Sequence, residues 1–294
     1  MNNISYLLRK SIANSFTILN LFLGFSSIVF IALSFKSDFS YYIYYACNFI
    51  FIAAIIDVFD GKIARKLGTS DDFGREIDSL ADLVSFCIVP SLLMFSYYYD
   101  LIELHKTVFL FLSSFTLVFG AIRLAKFNVY DSESKNNLYV GLPTPANAIL
   151  ICSLILFMNS GGIIQIIDDV KLSSFFYSIF YESESNIFIL DWMNRILVLL
   201  FGLNSYMAFF VYIFSSILLV SKVHYFKFPI ISLKLDRDNT LSIIGLLIFF
   251  IILIMSIFYN KHYIVLLFFT LIYISLGFLN FLFRQSILLY KGEL

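Results

Sequence analysis

Charge is the scarcest commodity in this chain. Only 14% of its 294 residues are Asp, Glu, Lys or Arg, against about 25% in an average soluble domain. The mean hydropathy is +0.89, which excludes an ordinary water-soluble globule. Twenty basic residues balance twenty acidic ones, so net charge points to no nucleic-acid partner. The three cysteines, Cys47, Cys87 and Cys152, lie in apolar runs. Without a CxxC or a Cys/His cluster they support neither a zinc site nor a disulfide framework. No internal repeat suggests a transporter built from inverted halves. No small-residue cleavage site follows the first apolar run, so that run is expected to stay as a membrane anchor.

What is present is a series of apolar stretches of spanning length. They fall at about 16–35, 42–64, 76–98, 106–127, 144–159, 196–221, 240–259 and 263–283. The expected fold class is an all-α polytopic membrane protein with about eight transmembrane helices. One membrane-embedded domain covers 1–294. Its catalytic core lies at about 14–230, an interfacial segment at 1–13 is mixed in polarity, and two further spans occupy 240–283. Fifteen of the twenty Lys and Arg residues fall on one side of this arrangement and five on the other. The positive-inside rule then puts both termini in the cytoplasm. The longest outer loop, about 160–195, reads as a solvated connector.

One stretch breaks the apolar pattern, and it lies on the cytoplasmic side: DVFDGKIARKLGTSDDFGREIDSLAD, residues 57–82. A carboxylate at mid-bilayer costs roughly 2.5–3.5 kcal/mol even on lenient insertion scales. Four of them, Asp57, Asp60, Asp78 and Asp82, need compensation. Asp57, Asp60, Gly61 and Ala64 are spaced as neighbours on one helix, and Gly74, Asp78 and Asp82 succeed one another at i, i+4 on a second. Between them, Gly68 to Asp72 carries turn chemistry, with Thr69 and Asp72 resembling a capping box. The two spans therefore form a hairpin that brings two acids from each helix together. Hard oxygen ligands suit Mg²⁺, Mn²⁺ or Ca²⁺, and four carboxylates suit two such ions. Two-metal sites favour in-line displacement at phosphorus. Gly61, Ala64 and Gly74 leave the helix surfaces bare beside the acids, and Arg65 and Lys66 are available to phosphate oxygens. Thr69 and Ser70 offer hydroxyls to a nucleobase edge. A proton or cation pathway would also use intramembrane acids. It does not require this joint spacing with glycines, alanine and arginine, and it predicts polar outer helix halves, which here are Phe, Ile and Leu almost throughout.

The pattern Asp57-x2-Asp60-Gly61-x2-Ala64-Arg65-x8-Gly74-x3-Asp78-x3-Asp82 resembles the signature of the CDP-alcohol phosphatidyltransferase family at every fixed position. The resemblance implies a helical membrane enzyme, usually a homodimer, with its metal site on the cytoplasmic side of the cell membrane. It implies that Asp57, Asp60, Asp78 and Asp82 hold two divalent cations and that Asp82 is also the general base. By the same resemblance, Asp57, Gly61, Ala64, Arg65 and Gly74 line the CDP site.

Flanking stretches are similar to the family's phosphatidylserine synthase branch. They are the polar strip Asn14, Thr17 and Asn20, the run Glu76 to Phe86 followed by Pro90, the segment Arg123 to Asn128, and Gly141-Leu142-Pro143-Thr144-Pro145. What this implies is transfer from CDP-diacylglycerol to serine, with Arg123, Lys126 and Asn128 as acceptor-binding candidates. The same residues have structural readings: cations at a helix end can stabilise that end, and prolines suit a helix start. Glycerol 3-phosphate and inositol phosphate are the rival acceptors. They carry a phosphate dianion and call for a denser cationic pocket than the basic residues here supply.

Overall fold

A computed structural model describes residues 2–36, 39–67, 72–99, 105–130, 138–159, 189, 192–194, 196–197, 205–226 and 237–291. It is almost entirely helical. Helix α1 spans Asn2–Ser34 and α2 spans Phe39–Leu67. The segment expected to lie at the interface is continuous with the first span, because α1 runs unbroken from Asn2. The third span is composite. It begins as α3, Asp72–Asp82, passes through a π-helical turn at Leu83–Ile88, and resumes as α4, Val89–Tyr98. Pro90 accounts for the change. It has no N–H, and its ring would collide with the carbonyl four residues back. The ladder ahead of it widens, so that the Val89 N–H bonds to the Val84 carbonyl, five residues back.

The fourth span is divided as well, into α5, Lys106–Ser113, and α6, Phe115–Tyr130. A break inside a membrane leaves backbone groups without water, so side chains must serve them. Tyr212 Oη donates to the Ser113 carbonyl and accepts from the Thr116 N–H at 3.5 Å. Ser91 Oγ accepts from the Leu117 N–H at 3.0 Å. Thr116 and Ser216 hydroxyls pair at 2.7 Å. Tyr212 and Ser216 come from α8, Ser205–Leu218, and Ser91 from α4.

The remaining elements are α7, Thr144–Phe157, α9, Arg237–Phe258, and α10, His262–Lys291, with one short ribbon. That ribbon departs from the expected all-α class: β1, Leu138–Val140, pairs antiparallel with β2, His224–Phe226. Gly141 turns the chain out of it at φ 76°, a conformation that suits glycine, and a Cβ there would overlap the Leu219 carbonyl. Pro143 and Pro145 then open α7.

Among the described residues, five helical stretches are long and apolar enough to cross a membrane. They are Asn14–Ser34, Phe39–Phe59, Asp72–Tyr98, Lys106–Val129 and His262–Ser286. Shorter apolar helices occupy Thr144–Phe157, Tyr206–Leu218 and Leu247–Phe258, inside the other three expected spans. Large apolar side chains such as Phe22, Phe111, Phe210 and Phe258 are exposed on these helices, as lipid-facing surfaces require. The protein is an integral membrane protein. Its core is centred on α7, most of which is buried.

Candidate active site

The site forms where α1, α2 and α3 meet at the head of the π-helical turn. Asp57 comes from the second half of α2, Asp78 from mid-α3, and Asp82 is the final residue of α3. One carboxylate oxygen from each lies within 4.8 Å of the others. Asp82 is buried, while Asp57 and Asp78 are half-buried. The expected convergence of acids from two helices is therefore present in these three. Asp60 follows one turn on in α2, but its side chain lies outside the described residues, as do those of Ala64 and Arg65. Gly61 is in the same turns of α2, and Gly74 lies two turns before Asp82 on its face of α3. Thr69, Ser70 and the proposed cap at Thr69 fall outside the described residues.

Like charges at this spacing repel by about 3 kcal/mol per pair at an effective dielectric near 20. The donor set is three hard oxygens with no sulfur or imidazole, which fits a divalent cation of the Mg²⁺ or Mn²⁺ type.

The arrangement is held from α1. Asn20, fully buried, donates from Nδ2 to Asp82 Oδ1 at 3.3 Å. Its own carbonyl accepts from Ser85 Oγ at 3.0 Å, so the first turn beyond Asp82 is tied to the same residue. Gly24, one turn further along α1, permits this approach: a Cβ there would overlap Ser85 Oγ. Of the polar strip expected on α1, Thr17 and Asn20 are buried and Asn14 is half-buried.

The three acceptor candidates separate. Arg123 on α6 is half-buried and within electrostatic reach of Asp82. Its Nε is buried without a hydrogen-bond partner among the described residues. Asn128 faces α3 instead. Its Nδ2 donates to Ser79 Oγ at 3.0 Å and to the Glu76 carboxylate at 3.4 Å. Lys126 is exposed. Sequence reasoning passed over Asn147. It is fully buried in the second turn of α7, and both of its amide atoms lack a partner among the described residues. A polar amide in an otherwise apolar span was the available signal.

Residues 10–180, more than half of the chain, match the CDP-alcohol phosphatidyltransferase family. The chain belongs to that family, and Asp57, Asp78 and Asp82 lie within the matched residues. Among curated relatives, it is 37% identical over 147 residues to the CDP-diacylglycerol–serine O-phosphatidyltransferase of Helicobacter pylori, covering 50% of this chain and 57% of that protein. It is 38% identical over 133 residues to the Bacillus subtilis enzyme of the same name, covering 45% of this chain and 70% of that protein. It is also 34% identical over 113 residues to the archaetidylserine synthase of Methanothermobacter thermautotrophicus, covering 38% of this chain and 46% of the relative. The match spans a little over half the length of the Helicobacter relatives.

Proposed function

We propose that the protein transfers the phosphatidyl group of CDP-diacylglycerol to the hydroxyl of L-serine, giving phosphatidylserine and CMP. The observation that carries this reading is the convergence of Asp57, Asp78 and Asp82 within 4.8 Å in a chain of this family. The similarity to serine-specific relatives supports the acceptor. The site faces the cytoplasm, the side to which most of the Lys and Arg residues are assigned. The chain has about eight spans with both termini inside, and acts as a homodimer, as the family resemblance implies.

Asp57, Asp60, Asp78 and Asp82 hold two divalent cations of the Mg²⁺ or Mn²⁺ type. When bound, these supply positive charge against the diphosphate and polarise the phosphorus. The chain's own groups do the rest. Gly61, Ala64 and Gly74 leave room for the nucleotide against the helix backbones, Arg65 meets phosphate oxygens, and Thr69 and Ser70 meet the cytosine edge. Arg123 draws the serine carboxylate toward the site. Asp82 accepts the hydroxyl proton as the serine oxygen bonds to the diacylglycerol-bearing phosphorus. The bond from that phosphorus to the bridging diphosphate oxygen breaks, and CMP leaves. Asn20 fixes the carboxylate of Asp82 by holding Oδ1, so that the other oxygen meets the hydroxyl. Rate enhancement comes chiefly from positioning and electrostatics.

The test is to incubate the purified protein with CDP-diacylglycerol, Mg²⁺ or Mn²⁺ and each of L-serine, glycerol 3-phosphate and inositol phosphate, and to measure CMP. Serine-dependent release is expected. Release only with a phosphorylated alcohol would refute the acceptor, and no release with any of them would refute the transferase reading.

A further inference from the structure

Two asparagine side chains grip α3 from neighbouring helices. Asn20 on α1 holds Asp82. Asn128, in the last turn of α6, holds the face of α3 that carries Glu76 and Ser79. Its Nδ2 donates to Ser79 Oγ at 3.0 Å, and the Ser79 hydroxyl returns a bond to Asn128 Oδ1 at 3.2 Å. The same Nδ2 reaches both oxygens of the Glu76 carboxylate at 3.4 Å. A carboxamide offers an NH₂ donor group and one carbonyl oxygen, and here both are turned to α3. Asn128 and Ser79 are half-buried, so their contact is partly withdrawn from water.

The helix they grip is short, 11 residues, and it carries two of the three converging acids. Glu76 and Ser79 lie one turn apart on one face of α3, and Asp78 and Asp82 lie one turn apart on another. At about 100° per residue, the two faces stand about 110° apart around the helix. Whatever fixes the first face therefore fixes the direction of the second. Turning α3 by about 20°, at a side-chain radius of about 5–6 Å, would carry a carboxylate about 2 Å. A cation of the Mg²⁺ type demands ligand distances of about 2.0–2.1 Å, so a turn of that size costs it a ligand. Asn20 acts at Asp82, the last residue of α3. Asn128 acts one turn earlier, on the residue next to Asp78.

We propose that Asn128 is a positioning residue for the acids: through Ser79 and Glu76 it fixes the rotation of α3 about its axis, and so aims Asp78 at a cation shared with Asp57 and Asp82, rather than binding the acceptor. The proposal rests on the phosphatidyl-transfer reading above, in which these acids hold divalent cations, and deepens it. The end of α6 then serves the metal site through α3, from the side opposite to no substrate contact of its own.

The test is CMP release by the purified full chain, with CDP-diacylglycerol and serine, as Mg²⁺ is titrated. Asn128→Ala and Ser79→Ala are each expected to raise the Mg²⁺ concentration for half-maximal release by about three- to tenfold. At saturating Mg²⁺ the KM for serine is expected to stay within about twofold. Because the two side chains act through one contact, Asn128→Ala combined with Ser79→Ala is expected to be no worse than the worse single variant. Ser79→Thr, which keeps the hydroxyl, is expected to need Mg²⁺ within about twofold of the unmutated protein. Effects that multiply in the double variant overturn the proposal, and so does a serine KM that rises while the Mg²⁺ requirement stays unchanged. An unchanged Mg²⁺ requirement in Ser79→Ala overturns it even if Asn128→Ala fails to fold. If the unmutated protein shows no Mg²⁺-dependent release, the transfer reading itself has failed, and that result is separate from any effect of Asn128.

Discussion

At the scale of single residues, the site depends on three carboxylates and one amide. Asp57, Asp78 and Asp82 crowd within 4.8 Å, an arrangement that repels itself without a cation between the oxygens. Asp57→Ala and Asp78→Ala are each expected to abolish CMP release in purified protein that still binds detergent and elutes normally; retained turnover would refute the metal role of that residue. Asn20 acts on Asp82 through a hydrogen bond to a charged group, worth about 1.5–3 kcal/mol. Asn20→Leu is accordingly expected to lower kcat by at least about tenfold with little change in the KM for CDP-diacylglycerol. Asp57, Asp78 and Asp82 were legible from spacing alone, because i, i+4 geometry in a helix is fixed by the backbone. The partner of Asp82 was not, since Asn20 lies 62 residues away and only packing of α1 on α3 brings them together. Asn128 shows the converse. Its position in sequence suggested the acceptor, whereas its side chain is engaged by Ser79 and Glu76.

At the scale of elements, two interruptions shape the bundle. The π-helical turn at Leu83–Ile88 follows directly on Asp82, whose carboxylate is held from α1 by Asn20. Proline at residue 90 foretold an irregularity; the sequence did not foretell that α1 would pack through Gly24 onto Ser85 within the π turn it produces. Gly24→Val is expected to force α1 away from the turn, lowering thermal stability in detergent by about 1–3 kcal/mol and activity with it. The break at Ser114 carried no proline or glycine signal. It stands because Tyr212, Ser91 and Ser216 satisfy the freed groups. Tyr212→Phe leaves the Ser113 carbonyl and the Thr116 N–H without that hydroxyl. The cost is about 1–3 kcal/mol, read as a Tm lower by several degrees.

At the scale of the whole molecule, the proposed function calls for divalent cations and for one orientation, and each can be tested. Treatment with a chelator is expected to stop CMP release, and Mg²⁺ or Mn²⁺ to restore it where Na⁺ does not. Orientation can be read by labelling, since the three native cysteines are buried. A cysteine at exposed Lys126 is expected to react with an impermeant maleimide only in inverted vesicles, and one at Lys261 only in right-side-out vesicles. Labelling of both from the same side would overturn the charge-based topology. The outer connector at 160–195 was legible only as polar sequence, and it lies mostly outside the described residues.

By itself, the sequence determined that the chain lives in a membrane, roughly where it crosses, and which acids interrupt the apolar pattern in helical register. These follow from quantities local to the chain: apolar run length against bilayer thickness, the fixed pitch of a helix, and the cost of a charge in hydrocarbon. Only the tertiary structure decided what stands around those acids. The hold of Asn20 on Asp82, the side chains that close the break in the fourth span, and the ribbon that sets Tyr139 opposite Tyr225 all join residues far apart in sequence. The physical reason is common to them. In an apolar interior each unpaired polar group is expensive, so the helices settle where distant side chains can meet, and that choice is made by the packed bundle as a whole.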